Sequence, residues 1–479
     1  MVRTTKGKIQ GFQSTTSTGK TVSAWYGIPY AQPPVDDLRF RHPHPLDSWE
    51  GTKSTMEPPN SCIQIEDTMW PGFSGSEVWA ANTPKSEDCL YLNVVVPNPH
   101  PKDASVIIWI HGGGFWSGTT TLDQYDLRTM AAEEEIIMVG IQYRVASLGF
   151  LYLDTENAPG NAGMFDQLMA IQWVRNNIAQ FGGNPENITL MGQEAGAVSV
   201  GLHLLSPLSR NLFNQAIMHS ASAFAPWAVI DKAESQIRGL RLAELMDCPH
   251  YAGNLTATIV CLKRQDAQAM VDMEWYGITQ GLSVGIFLPI IDGSFLDKTP
   301  ASSLESGNFK KTNTLLGSNK NEGNYILLYA YTDLFPREED VFITSSNFDL
   351  TIGEANVHLN KVQRAVLRHE YTNWMNPDDP VENRDAVDKF VGDYQFTCPV
   401  VDWAHRYAET GGEMNNVYMY HFMQQPSTTP WPKWTGSMQG DEIPFIFGKP
   451  LNLSLSYTQK EVNLSKQMMS FWANFAITG

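Results

Sequence analysis

The chain has 479 residues, 42% of them hydrophobic, and 33 Lys and Arg against 51 Asp and Glu give a net charge of −18. That apolar content excludes a disordered or fibrous protein, and so acidic a chain makes a poor nucleic-acid binder; a cationic ligand or a basic protein surface is the natural complement. No run reaches the roughly 18 to 20 apolar residues of a membrane-spanning helix.

The opening Met1-Val2-Arg3 lacks an apolar leader and runs straight into a strand-like segment, as expected of a mature domain. Cysteines at 62, 89, 248, 261 and 398 fit no metal-ligand or CxxC pattern, so disulfides are expected instead. Cys62 with Cys89 and Cys248 with Cys261 would each close a short loop and leave Cys398 odd. Val106 to Ile110 and Ile136 to Ile141 are continuous apolar runs, the mark of central strands buried on both faces. Met164 to Gln180 reads as a helix stopped by the breaker Gly182-Gly183-Asn184-Pro185, with a strand at Ile188-Thr189-Leu190 beyond it.

Next comes the run Met191-Gly192-Gln193-Glu194-Ala195-Gly196. Strand, tight glycine turn and small-residue helix form the elbow that lifts a nucleophile above an α/β-hydrolase sheet. The nucleophile's place holds Glu194. Farther on, residues 225–310 and 330–400 read as helix-rich insertions around a returning strand at Thr312 to Gly317, and a last helix spans Thr458 to Ala476. Residues 1–479 are read as one α/β domain around a large, mostly parallel sheet flanked by helices, cut short at its C-terminal end. Sequons at Asn187, Asn254, Asn452 and Asn463 are expected glycosylation sites and, with the cysteines, favour a secreted protein or the extracellular face of the cell.

The segments Gly72 to Glu77, Ser86-Glu87-Asp88-Cys89-Leu90-Tyr91-Leu92-Asn93, His111-Gly112-Gly113-Gly114-Phe115, Phe181 to Pro185 and Ser470-Phe471-Trp472-Ala473-Asn474-Phe475 together resemble the cholinesterase/type-B carboxylesterase family over essentially the whole chain. The resemblance implies an α/β-hydrolase fold with a Ser-Glu-His triad. Glu322 matches the acid, while Gln439, in Trp434 to Glu442, stands where the histidine belongs. Acyl transfer needs an activated nucleophile and a base that shuttles its proton. A glutamine amide is no base near neutral pH, and a carboxylate attacking an ester yields only an anhydride. The resemblance places oxyanion-hole N–H groups at Gly113, Gly114 and Ala195; Glu194 is expected to fill that hole, and Gln439 to donate to Glu322 or Glu194 in a closed polar network.

The same resemblance maps a choline-binding tryptophan onto Trp79, a facing aromatic onto Tyr325, further gorge walls onto Trp116 and Trp227, and the gorge mouth onto Asp67 and Trp275. Gln193 replaces the acid beside the nucleophile, and Ser283 and Gly285 replace bulky acyl-pocket residues. It also implies an Arg39–Glu87 ion pair, the two loop disulfides, a distant partner for Cys398, and a homodimer contact near Val362 to Thr372 that needs a helix beyond Gly479. His111, His203 and His219 read as structural. No cofactor or metal is expected. The function expected is a non-catalytic extracellular domain that binds an unknown protein partner in adhesion or scaffolding; a carrier or sink for choline-like quaternary ammonium ions, or an unusual carboxylic ester hydrolase, are the alternatives.

Overall fold

The structure, a computed structural model, describes residues 1–278, 285–337, 341–356, 359–412 and 415–479, the side chains at 252 and 276–278 excepted; Ser283 lies outside that set. Nine described strands form the central sheet: β1 (Phe12–Thr15), β2 (Thr21–Pro29), β3 (Tyr91–Pro97), β4 (Ala104–Ile110), β5 (Ile137–Ile141), β6 (Gly183–Gln193), β7 (Gln215–His219), β8 (Thr314–Asn319) and β9 (Val417–Phe422). Their spatial order is β9-β8-β7-β6-β4-β5-β3-β2-β1. Pairing is parallel from β9 to β5 and antiparallel from β5 to β1.

The apolar run in β4 is buried on both faces because its side chains alternate between two cores. Val106, Ile108 and Ile110 point into one cluster, Ile107 and Trp109 into the other. Helices α2 (Ala162–Asn177) and α3 (Ala195–Leu205) cover the first face through Met164, Leu168, Val198 and Leu202. Helices α1 (Leu127–Glu134) and α8 (Gln459–Thr478) cover the second through Met130, Met468 and Trp472. Side chains as buried as Ile108 cost about 2–5 kcal/mol when cut back to alanine. The other helices used below are α4 (Leu255–Leu262), α5 (Ala267–Ile278), α6 (Asn324–Ala330) and α7 (Lys361–Tyr371).

Several boundaries differ from the sequence reading, among them the returning strand, which runs Thr314–Asn319, and the last helix, which runs Gln459–Thr478. Helix α2 stops at Asn177 and tightens into a 3₁₀ turn over Ile178–Phe181 before Gly182, at φ +84°, reverses the chain. The expected breaker is therefore one residue long, since Gly183 already pairs with Ala104 and opens β6. Cys62–Cys89 and Cys248–Cys261 are bonded, and Cys398 is a free, exposed thiol. Arg39 meets Glu87 in a two-pronged pair at 2.7 and 2.6 Å. Helix α7 forms in the region expected for a homodimer contact and buries none of its residues.

Candidate functional site

Strand β6 ends at Gln193 and α3 begins at Ala195, so Glu194 alone turns the chain. Its φ of 54° and ψ of −114° hold the backbone outside the ordinary regions, at a cost on the order of 1–3 kcal/mol. The turn closes because its flanking glycines lack side chains. A Cβ on Gly192 would lie 2.4 Å from the Gly196 carbonyl carbon, and one on Gly196 would lie 2.0 Å from the Ile110 carbonyl oxygen.

Facing this turn is the loop after β4, whose Gly113 and Gly114 sit at φ +106° and +61°. Both donate their N–H groups to Glu194 Oε2 at 2.8 Å, and Ala195 N–H donates to the same oxygen at 2.6 Å. In acyl transfer such converging donors receive the developing oxyanion; here a side chain of the protein itself takes all three. Glu194 is 6% exposed. Burial pushes its carboxyl above the usual range, while the N–H groups of Gly114, Ala195 and Gly113 pull it back part of the way.

Glu322 follows β8 and Gln439 lies in the loop beside it. The two loops are tied together: Asn321 N–H donates to Ser437 O at 2.9 Å and Ser437 N–H to Asn321 Oδ1 at 3.1 Å, while within the Gln439 loop Met438 N–H donates to Asp441 Oδ2 at 2.8 Å. The closed network expected of Gln439 does not form. Its Nε2 is buried without a hydrogen-bond partner, as is Glu322 Oε2. Among the described residues the Gln439 amide nitrogen donates to neither Glu322 nor Glu194. The Ser220 hydroxyl draws the Glu322 carboxyl down somewhat from outside good hydrogen-bonding geometry.

Two residues that the sequence reading missed brace this corner. Asn319, the last residue of β8, donates its N–H to Glu322 Oε1 and its Nδ2 to Glu442 Oε2, each at 2.6 Å. Glu442 closes the very run that was compared for the histidine position; an acid buried after a glycine loop was the signal available. Burial, then the Glu442 charge, drives the Glu322 carboxyl far upward, and burial brings Glu442 to about 7. The nearest basic group described, His219 Nδ1, stands 4.0 Å from Glu442 Oε1. Burial pushes His219 down to about 3, and its ring nitrogens are engaged by Tyr420 Oη at 2.8 Å and Trp472 Nε1 at 3.2 Å. It is poorly suited to serve as a displaced base. The same holds for His203 and His111, held down by burial to about 3 and about 4.

The predicted aromatic residues fall into separate groups. Trp79 is partly exposed, packs 6.1 Å from Tyr125, and rests on Gly440, where a Cβ would come within 2.8 Å of the indole. Tyr325, on α6, stacks 5.0 Å from Tyr329, which in turn donates to Asp67 Oδ2 at 2.5 Å. Trp116 lies 4.6 Å from Trp275 of α5. Trp227 is buried, donating to Gln395 O at 3.3 Å and packing 6.0 Å from Phe396. Among the described residues no ring contact joins Trp79 to Tyr325. A Cβ on Gly285 would lie 2.6 Å from the Gly114 carbonyl oxygen, so this small residue lets the chain close against the oxyanion loop.

The sequence matches the Carboxylesterase family over residues 1–479. The chain belongs to the carboxylesterase family. It is 42% identical to the acetylcholinesterase of Bungarus fasciatus, and 40% identical to those of Electrophorus electricus and Danio rerio. Each comparison takes in all of this chain and 78%, 80% and 80% of those relatives in turn.

Within a carboxylesterase-family fold the chemistry open to these side chains is narrow. A substrate carbonyl could reach the three N–H groups only after Glu194 withdrew. Were Glu194 itself to attack an ester, the product would be an anhydride, and among the described residues no base hydrogen-bonds to Glu194 to manage the leaving group.

Proposed function

We propose that this chain is a non-catalytic member of the carboxylesterase family, a domain that works outside the cell by binding a protein partner in adhesion or scaffolding. One observation carries the reading: Glu194 Oε2 takes up the three N–H groups that a reacting ester would need. The unpartnered Gln439 amide supports it, because no imidazole replaces what that position would have to do. The extracellular part rests on two disulfides, bonds that persist in oxidising compartments. No described helix is long and apolar enough to cross a membrane. The test is an assay of concentrated protein with thiocholine and phenyl esters. Turnover no greater than that of a Gln439→Ala control is expected; turnover that disappears in Glu194→Ala would overturn the reading in favour of an unusual carboxylic ester hydrolase.

A second reading, a carrier or sink for choline-like quaternary ammonium ions, is favoured by Trp79. Its indole is partly exposed, and Tyr125 packed upon it feels the Glu194 charge. A partly exposed tryptophan face suits a quaternary cation, worth about 0.5–2 kcal/mol.

A further inference from the structure

Four sequons are present, Asn187-Ile188-Thr189, Asn254-Leu255-Thr256, Asn452-Leu453-Ser454 and Asn463-Leu464-Ser465, and the fold treats their asparagines differently. We propose that Asn254, Asn452 and Asn463 carry N-linked glycans in the folded, secreted protein and that Asn187 does not, because a chain glycosylated at Asn187 could not dock the end of α8 and complete its fold. This rests on the extracellular reading above, since the modification requires passage through a secretory compartment.

The atom that matters is Nδ2. Transfer forms a bond from Nδ2 to the anomeric carbon of an oligosaccharide carried on a polyprenyl diphosphate; the bond from that carbon to the diphosphate breaks, the diphosphate leaves, and one amide proton is lost. One N–H remains, and the sugar needs an open path from the nitrogen. In the fold, Asn187 offers no spare hydrogen. Its Nδ2 donates to Ser105 Oγ at 2.7 Å and to Ile477 O at 3.2 Å, and its Oδ1 is buried. A glycan there would part the start of β6 from β4 and keep the last turn of α8 from docking.

The other three have Nδ2 groups that donate to nothing among the described residues, and only their Oδ1 atoms are used. Asn254, exposed, caps α4 by accepting the Ala257 N–H. Asn452 accepts from Ser454 N and Oγ at 3.1 and 2.8 Å. Asn463, exposed on the second turn of α8, accepts from Gln459 Nε2 at 3.0 Å. A separate observation points the same way: Leu453, inside its sequon, is 88% exposed, and Tyr251 and Val260 beside Asn254 are 61% and 45% exposed. Apolar side chains left this open gain cover from the first sugars of an attached chain. By contrast, Ile188, next to Asn187, is fully buried. The glycans at Asn452 and Asn463 would shield the chain around the start of α8, so a protein partner docks elsewhere.

The experiment expresses this chain behind a secretion leader in eukaryotic cells, removes N-glycans enzymatically in heavy-oxygen water, and maps the tagged aspartates by mass spectrometry. Tags at 254, 452 and 463 and none at 187 are expected in the secreted protein. Asn254→Gln, Asn452→Gln and Asn463→Gln should each lose one step of gel mobility, and Asn187→Gln none. A tag at 187 in secreted protein, or untagged 254, 452 and 463 in protein whose Cys62–Cys89 bond has formed, would overturn the assignment alone. Retained protein with reduced cysteines and no tags would overturn the extracellular reading together with it.

Discussion

Glu194 and Gly114, eighty residues apart, meet through a 2.8 Å hydrogen bond from the glycine N–H to the carboxylate. The elbow and the glycine loop thereby close on each other, and the closure has measurable consequences.

Glu194→Ala removes the acceptor for three N–H groups. Stability should fall by about 1–3 kcal/mol, the cost of buried donors left unmet, offset where water enters. Glu194→Gln, which keeps an amide oxygen for the same donors, should lose less. Urea unfolding midpoints of the three proteins check this ranking.

Restoring chemistry requires two changes at once. Glu194→Ser frees the oxyanion hole and Gln439→His supplies the base, and triad members act as a unit. Either change alone should leave thiocholine ester turnover within a few-fold of the parent. Together they should raise it by a factor on the order of 10³ or more, measured as kcat/KM. Equal activity in a single variant would show that a base other than residue 439 is at work.

The buried carboxyls give the stability a defined pH dependence. Burial raises Glu442 from 4.5 to about 7 and Asp388 from 3.8 to about 7, so the folded chain holds protons that the unfolded chain releases. The stability these groups permit is complete below the unfolded values near 4 and is lost as pH rises toward 7. For Glu442 the loss is on the order of 3 kcal/mol at 1.36 kcal/mol per unit. Glu442→Gln should therefore flatten the fall in unfolding midpoint between pH 5 and 7. An unchanged slope would remove Glu442 as its source.

If the Trp79 face holds a quaternary ammonium ion, calorimetric titration with choline should give a signal that Trp79→Ala abolishes and that Trp79→Phe, which keeps an aromatic face, retains in part. Partner adhesion should survive the same substitution. No heat with any of these proteins would remove the carrier reading.

Much of this was legible in the residues. The continuous apolar runs of β4 and β5 and the glycine spacing around Glu194 name a doubly covered sheet and a strained turn, because burial on both faces and a missing Cβ are properties of residue type. The substitutions at 194 and 439 were equally plain, since no side-chain placement turns a glutamine into a base. What lay beyond the sequence was which groups meet. Gln439 was expected to donate to Glu322 or Glu194, yet its amide nitrogen is buried and meets neither. Glu442 became part of the site only because β8 ends in an asparagine that grips two acids at once, and Asn187 lost its openness to a helix end 290 residues away. Sequence sets which groups can act and which local turns they favour; distance between residues far apart in the chain, and the water excluded between them, is decided only when the layers pack.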